Sequence, residues 1–430
     1  MPRLGLGLGL GRASGGAELA GGTLAAVSGP GTFEAVGGTW TLGDLSPVLY
    51  TRADTGITLG YTGAINAALA AWTEAGAGVS ASGDDFTLTA DAGNSTHHLA
   101  SLPITDVVSL APCEVTFDAV AGTAGWLSLG VGDNSIAWFD LTTGAKGPGS
   151  GSAYLNHTIT ALGAGRFRCV IQGTYTALDT IRVGLGTADN APTWDAAGTE
   201  TITIRPVPSF SLGGASIVIQ QRVEEWADAR ANGNLWAQST TSSQPVYWVD
   251  ALGPGVVFAA ASWMQADSLA SVRDGENIPF WFAAAIDSMA GTTDRTLYAF
   301  GCSLHAREHR LDVPYSATVA AEAFRYIDTG TSKDVPKVTA SPKASGALVQ
   351  SFDGTTGSLL YGDSALVTAN AAIAGDATTD RLTLGALRRN GGALQRFQGV
   401  VREAAIHPTA YLSAANIAAA HAQLTALYEY

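Results

Sequence analysis

The chain has 430 residues, too many for one ordinary core, so about two globular units of roughly 100–200 residues each are expected. With 46% hydrophobic and only 14% charged residues, it has ample apolar surface to bury and is not a disordered chain. The formal net charge of −14, with lysine scarce and arginine scattered, leaves no basic stripe for phosphates, so nucleic-acid binding is not expected.

The first segment covers residues 1–65. Met1-Pro2-Arg3-Leu4 is followed by glycines alternating with Leu6, Leu8 and Leu10. This start lacks the charged head and continuous apolar run of a secretory leader. Its spacing is not the G-x-G-x-x-G of a dinucleotide site. Glycine weakens a free strand, so the arm is expected to need a partner surface, with its leucines on one side of an added strand. No run of about 18 uncharged apolar residues occurs anywhere, so membrane insertion is not expected.

The second segment covers residues 66–208. A helix is expected over Ala64–Glu74 at its entrance. Short alternating runs then recur at Asp85–Thr89, Cys113–Phe117, Gly125–Leu129, Arg166–Ile171 and Thr201–Ile204, with Gly, Asn, Asp or Pro often between them. That spacing belongs to an antiparallel sandwich rather than to βαβ units. Pro206 and Pro208 punctuate the junction to the third segment, residues 212–430. Strands are expected there at Ser216–Ile219, Gly255–Phe258, Ile278–Phe282, Thr296–Phe300, Ala347–Val349, Arg381–Leu384 and Gly399–Glu403. The chain closes on a helical pattern that Ser413 can cap, with Ile417, His421, Leu424 and Leu427 at helical spacing.

Cys113, Cys169 and Cys302 are odd in number and far apart, which argues against a disulfide framework or a zinc site and for buried small hydrophobes. Two N-x-S/T triplets, at Asn94 and Asn156, have no accompanying sign of secretion.

Two stretches resemble known families. Trp138-Phe139-Asp140-Leu141-Thr142-Thr143-Gly144, followed by Leu162-Gly163-Ala164-Gly165-Arg166-Phe167-Arg168, resembles the carbohydrate-binding-module-like jelly rolls of bacteriophage tail fibres and head spikes. The third segment carries Trp226-Ala227-Asp228, Gln238 and Gln244-Pro245-Val246-Tyr247 near its start. Near its end come Leu382-Thr383-Leu384-Gly385-Ala386, Phe397-Gln398-Gly399-Val400-Val401-Arg402-Glu403 and Leu412-Ser413. In order and spacing it resembles the concanavalin A-like, laminin-G-like domains of phage and bacterial surface proteins. The first dozen residues are similar to the starts of phage and gene-transfer-agent structural proteins. The resemblance implies an all-β chain of two tandem β-sandwich domains, jelly-roll and concanavalin A-like, behind an N-terminal arm. It implies a non-catalytic virion protein, made in a bacterial cytoplasm, as a tail fibre, spike or head-decoration subunit. Its implied partners are other virion proteins through the arm, host surface polysaccharide, and further copies of itself. Fold alone does not assign function, so the alternative of a polysaccharide hydrolase with an attached binding module stays open.

His305-Ala306-Arg307-Glu308-His309 matches the inverted zinc-peptidase pattern, which needs both histidines on one face of a helix. It follows a strand directly and Pro314 comes soon after, so a charged loop or strand edge is expected instead. Glycosidases need two converging carboxylates. Glu224, Glu225, Asp228, Asp353 and Glu403 are available, but no pair converges on one predicted strand. Ten tryptophans, Trp126 and Trp138 among them, point toward sugar, whose apolar C–H face stacks on indole. Most are expected in the core. Trp194, Trp236 and Trp248 have polar neighbours and are the expected exposed glycan-binding platforms. No cofactor is expected. Calcium is the one metal that the loops Gly132-Asp133-Asn134, Asp353-Gly354-Thr355 and Gly362-Asp363-Ser364 allow, and ordinary turn chemistry explains them equally.

Overall fold

A computed structural model describes residues 32–33, 42–45, 47, 49–66, 72–82, 85–95, 98–103, 112–131, 135–152, 154–174, 180–188, 194–206, 216–230, 233–250, 252–259, 261–266, 269, 277–288, 295–302, 308–313, 320–326, 332–339, 345–372, 379–389 and 392–428. The architecture is all-β with one long helix, as the alternation of the sequence requires. The glycine–leucine run at residues 1–11 lies outside the described residues.

The first sandwich is built from two six-stranded sheets. We label Leu49–Arg52 β1 and Ile57–Asn66 β2, and the sandwich strands follow in chain order. They are β3 (Thr73–Ala75), β4 (Ala77–Ser82), β5 (Asp85–Ala90), β6 (Leu99–Pro103), β7 (Pro112–Ala121) and β8 (Trp126–Val131). Next come β9 (Ile136–Asp140), β10 (Lys146–Ser150), β11 (Tyr154–Gly163), β12 (Arg166–Thr174), β13 (Thr180–Gly186) and β14 (Thr201–Pro206). One sheet runs β10-β9-β8-β13-β6-β3 and the other β11-β12-β7-β14-β5-β4. Every pairing within them is antiparallel. Along β5 the residues alternate between half-buried and buried, so Phe86, Leu88 and Ala90 enter the core and Asp85, Thr87 and Thr89 face out. Val115, Phe117 and Ile171 of the same sheet join them in the core, and Leu127, Leu129 and Phe139 of the other sheet face them. Cys113 and Cys169 lie in this core as free thiols, not a disulfide, and burial pushes the Cys113 thiol up to about 12.

The two motif stretches of this sandwich touch each other. The carboxylate of Asp140 accepts hydrogen bonds from the backbone N–H of Thr142 at 2.8 Å and from the hydroxyls of Thr142 at 2.5 Å and Thr143 at 2.6 Å. That closes the turn and sends Gly144 into positive φ, +74°. A Cβ there would sit 2.5 Å from Cε1 of Phe167. The turn and the following strand therefore need each other: Gly144 leaves room for the ring of Phe167, which packs on the core.

The second sandwich does not begin where composition placed its boundary. β2 pairs antiparallel with β15 (Ser216–Ala227), and β1 with the late strand β22 (Gly399–His407). Residues 49–66, expected in the arm segment 1–65, are thus strands of the C-terminal sandwich, and the first sandwich is inserted between β2 and β15. The expected helix over Ala64–Glu74 is also replaced. Ala64–Asn66 ends β2 against Ser216–Val218, and Thr73–Ala75 is β3. An alanine-rich run has helix propensity, but strand partners supplied from far along the chain override it.

A single hydrogen-bonded system of 17 strands, doubled over on itself, encloses the second core. One layer includes β16 (Val246–Asp250), β17 (Gly253–Phe258), β18 (Phe280–Ser288), β21 (Ser345–Phe352) and β22. The other includes β19 (Thr296–Gly301) and β20 (Glu308–Asp312), with Arg381–Leu384 and Ala321–Tyr326 beside them. Phe282 of the first layer stacks on Tyr298 of the second at 4.1 Å, and the Tyr298 hydroxyl donates to Gln350 at 2.6 Å. The expected helix forms as α1 (Ala414–Tyr428), with the Ser413 hydroxyl accepting from the N–H of Asn416 at 3.3 Å. Ile417, Ala420 and Leu424 lie on the outer side of the first layer, against Trp281, Ala283, Val349 and Ala405, whereas Leu427 is exposed.

The motif residues of this domain hold strands. The indole N–H of Trp226 donates to the carbonyl of Arg52 at 2.9 Å, and Asp228 accepts from the N–H of Tyr50 at 2.8 Å. Arg402, 1% exposed along its side chain, spans Asp250 at 2.7 Å and Asp287 at 2.6 Å, tying the β16–β17 hairpin to β18.

Gly144→Ala is expected to destabilise the first sandwich by about 1–3 kcal/mol, because it combines a left-handed backbone with an overpacked ring. Urea unfolding of the full chain measures it. An unchanged transition would mean that the turn and Phe167 are not coupled.

Candidate functional site

The three expected tryptophan platforms meet different fates. Trp194 lies on the short strand Trp194–Ala196, paired with Gly93–Ser95, and its side chain lies outside the described residues. Trp236 is 1% exposed and belongs to the second core, opposite the equally buried Trp226. It is not a platform. Its polar neighbours serve the backbone, not solvent: Gln238 Nε2 donates to the carbonyl of Trp263 at 3.0 Å, and Gln244 Nε2 to that of Gln238 at 2.9 Å. Trp248 is half-buried on β16. It faces Gly255 across the hairpin and, like Val400, packs against the small cluster of Val246, Val257 and Ala259.

The outer face of one first-sandwich sheet carries a more complete aromatic surface. On β8, Leu127 and Leu129 point into the core, so Trp126 and Ser128 point out. On β9, Ala137 and Phe139 point in and Trp138 points out. Trp126 stands opposite Asp140 and Gly186, and Ser128 opposite Trp138 and Gly184. A Cβ on Gly147 of β10 would lie 2.8 Å from Cζ3 of Trp126 and 2.9 Å from Cβ of Trp138. Neighbouring strands are about 4.8 Å apart, and β9 separates β8 from β10. The Trp126 ring must therefore lie down across β9 to reach Gly147.

Gly184 also keeps this surface low, since a Cβ there would meet the Ser128 hydroxyl at 2.5 Å, whereas Gly149 pairs with the inward-facing Ala137 and leaves room for the Tyr154 ring on the core side. Trp138 and Ser128 are buried, while Trp126 is half-buried and is the aromatic that this face presents. On the core side, where β10 and β11 meet, the ring N–H at Nε2 of the buried His157 donates to the carbonyl of Gly147 at 2.9 Å, so Nδ1 accepts from the Tyr154 hydroxyl at 2.5 Å, and the imidazole packs edge-on against Phe139. Burial, aided by the charge of Lys146, lowers the His157 pKa against the pull of the Gly147 carbonyl, which suits this neutral arrangement. Asp140, at the end of β9, is pushed up by burial but held below its usual range by the Thr142 and Thr143 hydrogen bonds.

The second sandwich carries a charged row. Glu308, Arg310 and Asp312 occupy alternate positions of β20 and share one face, while Leu311 enters the core. All three are buried. Arg310 bridges both acids, Nη1 to Glu308 at 2.6 Å and Nε to Asp312 at 2.8 Å, and the Thr296 hydroxyl donates to Asp312 at 2.7 Å. Lys337 pairs with the buried Glu322 at 3.1 Å on the neighbouring strands. The zinc-like motif resolves here too. Glu308 and His309 lie on an extended strand, so they point to opposite faces, and His305 lies outside the described residues. Among the described residues, no group of three His, Cys, Asp or Glu side chains is placed to hold a metal ion.

The other carboxylates expected as candidates are dispersed. Asp228 holds Tyr50, as above. Glu403 is buried and accepts from the Tyr428 hydroxyl at 2.9 Å. Asp353 closes a turn by accepting from the N–H groups of Thr355 and Thr356 at 2.8 and 2.6 Å, which accounts for one loop considered for calcium. Gly132-Asp133-Asn134 lies outside the described residues.

Both missed clusters left a trace in the sequence. Trp126 and Trp138 sit one position out of phase with Leu127 and Phe139, with glycines on the flanking strands. Glu308-x-Arg310-x-Asp312 repeats charge with strand periodicity.

No family model matches the chain, and no curated protein matches it. Among solved structures, domains LG4-5 of the mouse laminin alpha1 chain are similar to it at 13% identity. The alignment covers 83% of this chain and 91% of that one, with a TM-score of 0.27. The β-sandwich assignment stands on the sheets themselves.

Removing Arg310 leaves two buried acids without the cation that bridges them. Arg310→Ala is expected to cost about 3–5 kcal/mol of stability in chemical denaturation. A loss below about 1 kcal/mol would show that the row is hydrated rather than buried.

Proposed function

We propose that this chain is a non-catalytic, glycan-binding structural protein of a virion, a fibre, spike or head-decoration subunit that assembles as a homo-oligomer. The observation that carries the binding role is the Trp126 ring lying across a glycine-lowered sheet face, half-exposed beside polar groups. A flat indole with hydrogen-bonding neighbours matches the alternating C–H and hydroxyl surfaces of a sugar. The net charge of −14 favours a neutral polysaccharide over an acidic one. Trp248, half-buried on the second sandwich, is the second platform. The virion role rests on the sequence resemblances and on the Gly–Leu run of residues 1–12, which anchors the protein to the particle in this reading.

The non-catalytic part has support in the charged row. A glycosidase needs one acid free to give a proton and another free to attack or activate water. Glu308 and Asp312 are instead bridged by one guanidinium.

Calorimetric titration with host surface polysaccharides, followed by an assay for released sugar, tests the reading. Binding without release is expected, and Trp126→Ala is expected to weaken it about tenfold or more. Undiminished binding by the Trp126→Ala, Trp248→Ala double variant would remove both platforms, and release of reducing sugar would make the protein a hydrolase. Particles assembled with a chain lacking residues 1–12 are expected to have lost the protein. Its retention would end the anchoring role.

A further inference from the structure

The first sandwich has two sheets and therefore four edges, β10, β3, β11 and β4. An unpaired edge exposes backbone donors and acceptors and invites another strand, so soluble proteins blunt their edges. Three of these four are blunted. β10 carries Lys146 and Pro148, both exposed. β3 spans only Thr73–Ala75 and carries Glu74. On β4 the N–H of Val79 is occupied by the carboxylate of that same Glu74, at 2.8 Å.

The fourth edge has no such device along its middle. β11 is ten residues long, Tyr-Leu-Asn-His-Thr-Ile-Thr-Ala-Leu-Gly, without charge or proline. Its register against β12 is interrupted only near its ends, and Asn156 to Ala161 pair without a break. Leu155 and Leu162, near its two ends, are 51% and 44% exposed, two of the four large apolar side chains that stand exposed among the described residues.

We infer that β11 pairs antiparallel with β11 of a second copy of this chain, forming a two-fold dimer through a continuous sheet. Antiparallel edge pairing is self-complementary: one strand supplies the same donors and acceptors to its copy. It also brings the Leu155 end of one strand beside the Leu162 end of the other. Electrostatics favours a copy meeting here. A chain of net charge −14 repels itself over most of its surface, while this strand is neutral, charges on its own sheet are paired, Arg168 with Asp118 at 2.9 Å and Arg205 with Asp85 at 2.8 Å, and the one lysine that reaches it, Lys146, bonds Asn156 near one end at 3.5 Å.

Light scattering behind size exclusion tests this on the full chain. The wild type is expected at twice the 43.9 kDa chain mass. Leu155→Lys with Leu162→Lys, and separately Thr158→Lys, are expected to give monomers with unchanged circular dichroism. Ala81→Lys on the opposite edge is expected to leave the dimer intact. Hydrogen exchange of the wild type guards against a misfolded variant: amides of Asn156–Ala161 are expected to slow at high concentration and quicken on dilution. A monomeric or trimeric wild type, a dimer that survives both lysine variants, or exchange independent of concentration would each overturn the inference. It rests on the homo-oligomer part of the reading above. A dimer that binds no glycan would sink that function and leave this interface, and glycan binding by a monomer would do the reverse.

Discussion

The pairing of β2 with β15 is the constraint on which the rest of the chain depends. The two strands are separated by the whole first sandwich, yet they run side by side from Ile57↔Trp226 to Asn66↔Ser216. Trp226 and Asp228 lock the base of this ribbon onto β1, whose other side pairs with β22 near the C-terminus. Three distant stretches of chain thus meet on one layer. Closing so long a loop costs entropy that grows only slowly with its length, so an entire domain can be accommodated within it. The inserted sandwich has its own core and closes its own sheets, which is what an insertion at a strand end demands.

Glycine makes room for aromatic rings in both sandwiches. In the first, Gly147 leaves space for Trp126 on the outer face and Gly144 for Phe167. In the second, Gly385 at φ +83° makes room for Phe258, since a Cβ there would sit 2.3 Å from that ring. The glycine-rich composition is therefore tied to aromatic packing as much as to turns.

Buried charge holds the second sandwich together in another way. Arg402 and Arg310 each bridge two carboxylates from within a strand, and Asp228 engages Arg230 and Tyr50. Such networks are costly to bury and more costly to break, so they favour one arrangement of strands over others.

How much of this was legible beforehand follows from which properties are local. Strand alternation is local, and Asp85–Thr89, Arg166–Ile171 and Gly399–Glu403 were readable as strands because side chains on a strand face opposite ways in turn. The helix after Ser413 was readable for the same reason, from its own cap and period. The all-β class and the burial of the cysteines needed no more than that. What lay beyond reach was the assignment of partners. Nothing near Ala64 says that Ser216–Val218 will pair with it, so an alanine-rich run read as helix. Nothing near Trp236 says that Trp226 will stand opposite it, so polar neighbours that hold a loop read as an exposed surface. Alternation tells which residues share a face, but only the tertiary structure decides which face meets the core, because that depends on strands brought together from far along the chain.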